Sequence, residues 1–114
     1  MGMFSLSFMD HRTLAEGDTM SNAEAVDVGP FTIVDLVITV HSAATGTSPT
    51  LTIKHAARLA EDAWLDLDEA LVIDLTATGT TWRHVSAVTR FLGWFLSGTV
   101  ETGPEVTIDI VAKG

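Results

Sequence analysis

Residues 33–40 read Ile-Val-Asp-Leu-Val-Ile-Thr-Val, an alternation that puts Val34, Leu36, Ile38 and Val40 on one side of an extended chain and Ile33, Asp35, Val37 and Thr39 on the other. A period of two fits a strand and not a helix, and it returns through most of the chain. Leu51, Ile53 and His55 share one side of 50–56. Leu71, Ile73 and Leu75 alternate with Val72, Asp74 and Thr76, and Val106, Ile108 and Ile110 do so in 105–112. Phe4, Leu6 and Phe8 alternate with Ser5 and Ser7 in a short first strand whose apolar face must be covered. Brief runs at 25–28, 63–67 and 82–87 and a strongly apolar one at 89–96 complete a set of about eight strands, the spacing of a sandwich or jelly roll. The best helical candidate, 56–69, has helix-forming residues but no apolar stripe. The fold expected is all-β, a jelly-roll-like antiparallel β-sandwich.

A short phrase occurs twice. Pro49-Thr50-Leu51-Thr52-Ile53 recurs as Pro104-Glu105-Val106-Thr107-Ile108, each time after a Gly-Thr-containing turn and an apolar run. The repeat reads as two similar β-hairpins, 33–40 turning into 50–56 and 90–96 turning into 105–112. Proline in each marks where the chain enters the sheet without an N–H to donate. Between the first strand and Ala25, residues 10–22 hold Gly17 and small or charged side chains without a period, which reads as a long loop or arm, or alternatively as one helical turn around Leu14. One β-sandwich domain over 1–114 is expected, with 1–22 partly strand and partly arm.

The charge balance excludes partners. Six Lys and Arg stand against fifteen Asp and Glu, a formal net charge of −9, so no basic stripe can neutralise phosphates and nucleic acid is not an expected partner. No cysteine is present, which removes disulfides, thiolate nucleophiles and sulfur-ligated zinc. Met1 to Asp10 carries no cationic n-region or long apolar segment, and no run is long enough to span a bilayer. The chain therefore reads as made in a cytoplasm and kept there until assembly, without a membrane partner. Yet 46% of the residues are hydrophobic. In a domain this small the excess is most simply accommodated by burying sheet faces against other subunits, and the half-polar side Ile33, Asp35, Val37 and Thr39 suits such an interface.

The residues able to carry chemistry are sparse. His11, His41, His55 and His84 show no ligand spacing, so a metal site would have to be assembled entirely by the fold, and none is expected. Glu61, Asp62, Asp66, Asp68 and Glu69 lack the glycine and ordered spacing of an EF-hand and read as a solvated loop. Asp66 and Asp68 would point the same way on a strand, as paired carboxylates of a glycosidase do, but such pairs are common on exposed edges. No phosphate-binding glycine loop or nucleophile elbow occurs, so neither catalytic nor cofactor-binding residues are assigned and no enzyme is expected. Trp94, among Phe91, Leu92, Phe95 and Leu96, reads as a core or interface anchor. Trp64 and Trp82, flanked by polar residues, are the candidates for stacking on a sugar ring.

Gly46-Thr47-Ser48-Pro49-Thr50-Leu51-Thr52-Ile53-Lys54-His55, Trp64 with Leu65-Asp66-Leu67, Thr89-Arg90-Phe91-Leu92, and the ending Val106-Thr107-Ile108-Asp109-Ile110-Val111-Ala112-Lys113 together span about the last two-thirds of the chain. In this layout the sequence resembles small β-sandwich virion structural proteins of tailed bacteriophages. It departs from them before the Trp, where Leu59-Ala60-Glu61-Asp62 stands in place of a frequent Pro-Asp-Gly. The resemblance implies a capsid cement or decoration protein, a jelly-roll subunit that docks outside the shell and bridges coat proteins, commonly as a dimer. The major capsid protein or other virion proteins would be its partners, and the virion its location. The interface residues expected are Phe4, Leu6 and Phe8 within an N-terminal arm (1–20), the apolar surface near Phe31 and Trp94, and Arg83 and Arg90 as cations for an acidic groove or as salt-bridge partners within the domain. A tail, neck or fibre β module shares every one of these features. A carbohydrate-binding module is the further alternative, favoured if Trp64 or Trp82 is exposed beside acidic or Asn groups.

Overall fold

A computed structural model describes residues 3–85 and 88–114, the side chains of Met3 and Phe4 excepted. Its strands are β1 (Met3–Thr13), β2 (Val26–Asp27), β3 (Ile33–Ser42), β4 (Thr50–Ala56), β5 (Leu65–Asp74), β6 (Gly79–Val85), β7 (Phe91–Ser97) and β8 (Glu105–Lys113). They form two four-stranded antiparallel sheets, ordered β1-β8-β3-β6 and β2-β7-β4-β5. The pairs β1–β8, β2–β7, β3–β6 and β4–β5 are those of one long hairpin with β4 and β5 at its tip. Rolling that hairpin lays β8 beside β3 and β7 beside β4, which is the jelly-roll winding.

Alternation decides which side chains meet between the sheets. Val34, Leu36, Ile38 and Val40 lie opposite Ala112, Ile110, Ile108 and Val106 of β8, and all eight are buried. From the second sheet Leu51 and Ile53 stand between Ile73 and Leu71 on β5 and Leu96 and Trp94 on β7. Burying one such side chain contributes about 1.5–3 kcal/mol, so the shared inner face is what holds the register. Trp94 is fully buried there (0% exposed), with the Arg12 guanidinium 5.0 Å from its ring centre.

The repeated phrase does not make hairpins. β3 and β4 lie in different sheets, and so do β7 and β8, so each copy carries the chain across the sandwich. A hairpin was barred because β3 already has β8 and β6 on its two edges. The two crossings, 43–49 and 98–104, instead pair with each other. Thr45 N–H donates to Thr102 O (3.2 Å), Glu101 N–H to Thr45 O (2.8 Å) and Thr99 N–H to Thr47 O (3.0 Å). The Thr99 and Thr45 hydroxyls accept from Thr47 N–H and Thr102 N–H. Gly46 and Gly98 have positive φ and sit where the crossings touch: a Cβ on Gly46 would lie 2.0 Å from Thr99 O, and one on Gly98 2.2 Å from Ser48 O.

Two other boundaries differ from expectation. The runs 63–67 and 71–76 join into the single edge strand β5, whose pairing with β4 slips between Asp66 and Leu71 so that 67–70 bulge. At the other end β1 continues to Thr13, with register shifts after Ser7 and after Met9. The first shift buries Met9 and leaves Phe8 half-buried against the core margin, while Leu6, ahead of it on the edge strand, is 37% exposed. Residues beyond it are no free arm. Leu14 is fully buried and its N–H donates to Pro104 O, Glu16 accepts from Val100 N–H, and Met20 packs on the core.

Candidate functional site: two sheet faces and a histidine pair

The outer face of the β1-β8-β3-β6 sheet is set by the same register that fills the core. One row across it reads Trp82, Val37, Asp109 and Ser7; the next reads His84, Asp35, Val111 and Ser5. Trp82 is the most exposed large apolar side chain among those described, at 66%. Val37 is half-buried beside it, and Val111 is half-buried two strands away in the next row. Asp35 anchors the second row, accepting from the His84 ring (2.7 Å) and Lys113 (3.4 Å), and those contacts hold its carboxyl below the usual range. Thr39 and Thr80 join their hydroxyls at 3.2 Å along the neighbouring row. The result is a mainly polar face that presents Trp82 and Val37 side by side at its β6 edge.

The other sheet carries a groove of about 400 Å³ lined by Asp18, Thr19, Met20, Asn22, Glu61, Trp64, Trp94, Phe95 and Leu96. Gly93 makes it, because a Cβ there would lie 2.7 Å from Met20 Cε and 2.8 Å from Trp64 Cη2. Without one, the indole lies on the bare strand, edge-on to Phe95 with ring centres 5.2 Å apart. Trp64 and Asp18 are half-buried, and Asn22 and Glu61 are exposed.

Electrostatics are one-sided. All six basic side chains are engaged within the chain: Arg12 with Glu24, Lys54 with Asp66, Arg58 with Asp62, Arg83 with Glu69 O, Arg90 with Asp27 and Lys113 with Asp35. Arg90, together with Gly29 N–H, holds the Asp27 carboxyl below its ordinary value and also lies over Phe91. Arg83 and Arg90 are thus occupied, and the unmatched charge is negative. A partner complementary to this surface is basic.

The expected interface residues scatter. Trp94 is in the core because its alternation partner Leu92 faces inward with it, so the side of β7 that faces outward is Phe91, Gly93 and Phe95. Phe31 is half-buried against the core, as is Phe8. The Phe4 side chain lies outside the described residues. Trp82 and Trp64 are on opposite sheets and make separate surfaces. The acidic group stays exposed, with Asp62 and Asp66 paired to Arg58 and Lys54. Two of the four histidines do come together: His11 and His41 stack at 4.1 Å with Glu105 beside them. Sequence reasoning missed this pair, since thirty residues separate them and only the order β1-β8-β3 brings them to one end of the sheet.

No protein-family model matches the chain, and no curated protein matches it. Among solved structures it is similar to the SPBc2 prophage-derived protein YomS, with a TM-score of 0.54 and 17% identity over 97% of this chain and 92% of that one. A weaker likeness, TM-score 0.49 and 14% identity over 98% of this chain and 84% of the other, is to a structure of Bacillus endospore appendages, described as a novel family of disulfide-linked pili. The first likeness shows a shared fold. No helix among the described residues is long and apolar enough to cross a membrane.

Proposed function

We propose that this chain is a non-enzymatic virion structural protein of the capsid cement or decoration type, which binds the outer shell through the outer face of the β1-β8-β3-β6 sheet. The observation that carries the reading is Trp82, 66% exposed on the edge strand β6 beside Val37 of β3. An exposed tryptophan beside a half-buried valine, bordered by polar side chains, is the kind of anchor on which interfaces concentrate their binding energy. The occupant is a basic protein surface, because five of the six Lys and Arg are paired with carboxylates, Arg83 is held by a backbone carbonyl, and fifteen Asp and Glu stand against those six. Binding only the assembled lattice would stabilise it by mass action, and many symmetric copies, alone or as homodimers bridging coat subunits, would act together. The test is co-sedimentation with shells from the same source. Trp82→Ser should weaken pelleting about 30-fold, the fold-change of a hot-spot loss of about 2 kcal/mol. A variant that pellets like the wild type removes the face from the account.

A second reading has its own observation. The groove beside Trp64 offers an indole with Asp18, Asn22 and Glu61 around it, the setting in which a sugar ring stacks and hydrogen-bonds. Titration with polysaccharides should then shift the tryptophan emission of the wild type and not of Asn22→Ala. An unchanged spectrum across a glycan panel rejects it.

A further inference from the structure

His11 stands on β1 with φ +49, one of two non-glycine residues with positive φ among those described. That conformation is uncommon, histidine is among the residues enriched in it, and strained positions cluster where a side chain is aimed for use. Here the register shift between Met9 and Arg12 turns the ring across the sheet end onto His41 of β3, with ring planes 13° apart. Glu105, the first residue of β8, completes the group, and the ligating atoms of the three residues lie within 4.8 Å of one another.

The surrounding hydrogen bonds assign the protons. Thr107 is buried, and its hydroxyl donates to the Asp10 carboxylate (3.3 Å), which can only accept when ionised. Its oxygen therefore accepts, from the His11 backbone N–H (2.9 Å) and from the His41 ring Nε2–H (2.8 Å). That leaves His41 Nδ1 with its lone pair. His11 Nδ1–H donates to Glu105 Oε1 (2.7 Å), and shifting that proton to Nε2 leaves Nδ1 and Oε1 with lone pairs facing one gap. A ring held at one nitrogen by a hydroxyl relayed to a carboxylate, as His41 is, has the usual support of a metal-bound imidazole.

We propose that His11, His41 and Glu105 form a binding site for one divalent transition-metal ion of the Zn²⁺ or Ni²⁺ class. Two imidazoles and a carboxylate favour these ions over Mg²⁺ and Ca²⁺. Metal–nitrogen bonds of about 2.0–2.1 Å need donor atoms about 3.3 Å apart in a tetrahedral site, so the rings must close in. Both rings are exposed, so the ion can take the place of the His11–Glu105 hydrogen bond and draw the rings together without disturbing the core. An ion there would tie β1, β8 and β3 together at the end where β1 is least regular, in a chain without a cysteine to cross-link it.

Calorimetric titration of the full, chelator-treated chain with ZnCl₂, with MgCl₂ as control, tests this. One Zn²⁺ per chain is expected. His11→Asn, which keeps a residue tolerant of positive φ, and His41→Gln should each weaken binding at least tenfold at an unchanged far-UV spectrum, and His84→Ala should leave it unchanged. Long-range ¹H–¹⁵N spectra of the metal-free chain should show His41 protonated at Nε2, with the His11 and His41 signals moving on Zn²⁺ addition. The absence of saturable Zn²⁺ binding, binding retained in both His11→Asn and His41→Gln, or binding lost in His84→Ala overturns the proposal.

Discussion

Gly46→Ala is the substitution that most directly probes the crossed loops. Gly46 has φ +141, and an added Cβ would stand 2.0 Å from Thr99 O and 2.8 Å from Thr99 C. Both are backbone atoms, so relief requires moving the crossing 98–104 by more than 1 Å, by comparison with ordinary contacts of about 3.5 Å. That movement breaks the bonds joining Thr47 to Thr99, worth about 1 kcal/mol each. An L-residue at this φ costs a further 1–2 kcal/mol or so. The sum is about 3–4 kcal/mol, a fall in Tm of about 12–16 °C at this chain length. Gly79→Ala is the control: its φ is +150, but nothing lies within 4 Å of the added Cβ, so only the backbone cost of about 1–2 kcal/mol remains. Urea titration should show the Gly46→Ala midpoint well below that of Gly79→Ala at unchanged m. Gly98→Ala should resemble Gly46→Ala, and the double variant should lose less than the sum, since both break the same contact. A Gly46→Ala stability within 0.5 kcal/mol or so of Gly79→Ala would refute the interlocked crossing.

Three further outcomes follow from the packing and the charges. Gly93→Val should push Trp64 and Met20 off β7, cost about 1–3 kcal/mol and shift tryptophan emission to the red; an unchanged spectrum would place the indole elsewhere. Met9→Ala should cost about 2–5 kcal/mol in a denaturant titration, because β1 is part of the sandwich; a loss below about 1 kcal/mol would return the segment to the status of an arm. Asp27 is held low by Arg90 and Gly29 N–H, and Asp35 by His84 and then Lys113, so their contribution is whole above the unfolded pKa of about 3.9 and is lost as pH falls through the depressed folded values. His11 is raised, chiefly by its hydrogen bond to Glu105, so its contribution is present below about 6.5 and fades as pH rises through the folded value. Urea midpoints should therefore fall on the acid side and drift down above neutrality, with His11→Asn removing the alkaline drift; a midpoint that climbs from pH 6 to 8 in the wild type speaks against it.

How much of this was legible depended on whether the determinant was local. The alternation in 33–40 and 105–112 named the inward residues of β3 and β8, because a two-residue period leaves one choice of face once a core exists. The all-β sandwich followed from that pattern. The crossings did not, since a hairpin turn and a passage between sheets use the same Gly, Thr, Ser and Pro residues, and only the occupied edges of β3 decide between them. Leu14 lay hidden as one apolar residue in a polar stretch, and its burial depends on distant Pro104. Trp94 fitted core or interface equally well until its row with Ile53 was known. Trp82 and Trp64 were singled out by their polar flanks, and both prove to line surfaces. The pairing of His11 with His41, and the engagement of all six cations, are products of topology and leave no trace in spacing.

The central claim is that the Trp82 face docks on an assembled, basic protein lattice, and co-sedimentation of the purified chain with shells from the same source tests it most directly. The wild type should pellet with shells and be released by salt as screening shortens its electrostatic reach, while Trp82→Ser stays in the supernatant. A wild-type chain that remains in the supernatant with shells at low salt, or a Trp82→Ser chain that pellets as well as the wild type, would contradict the account.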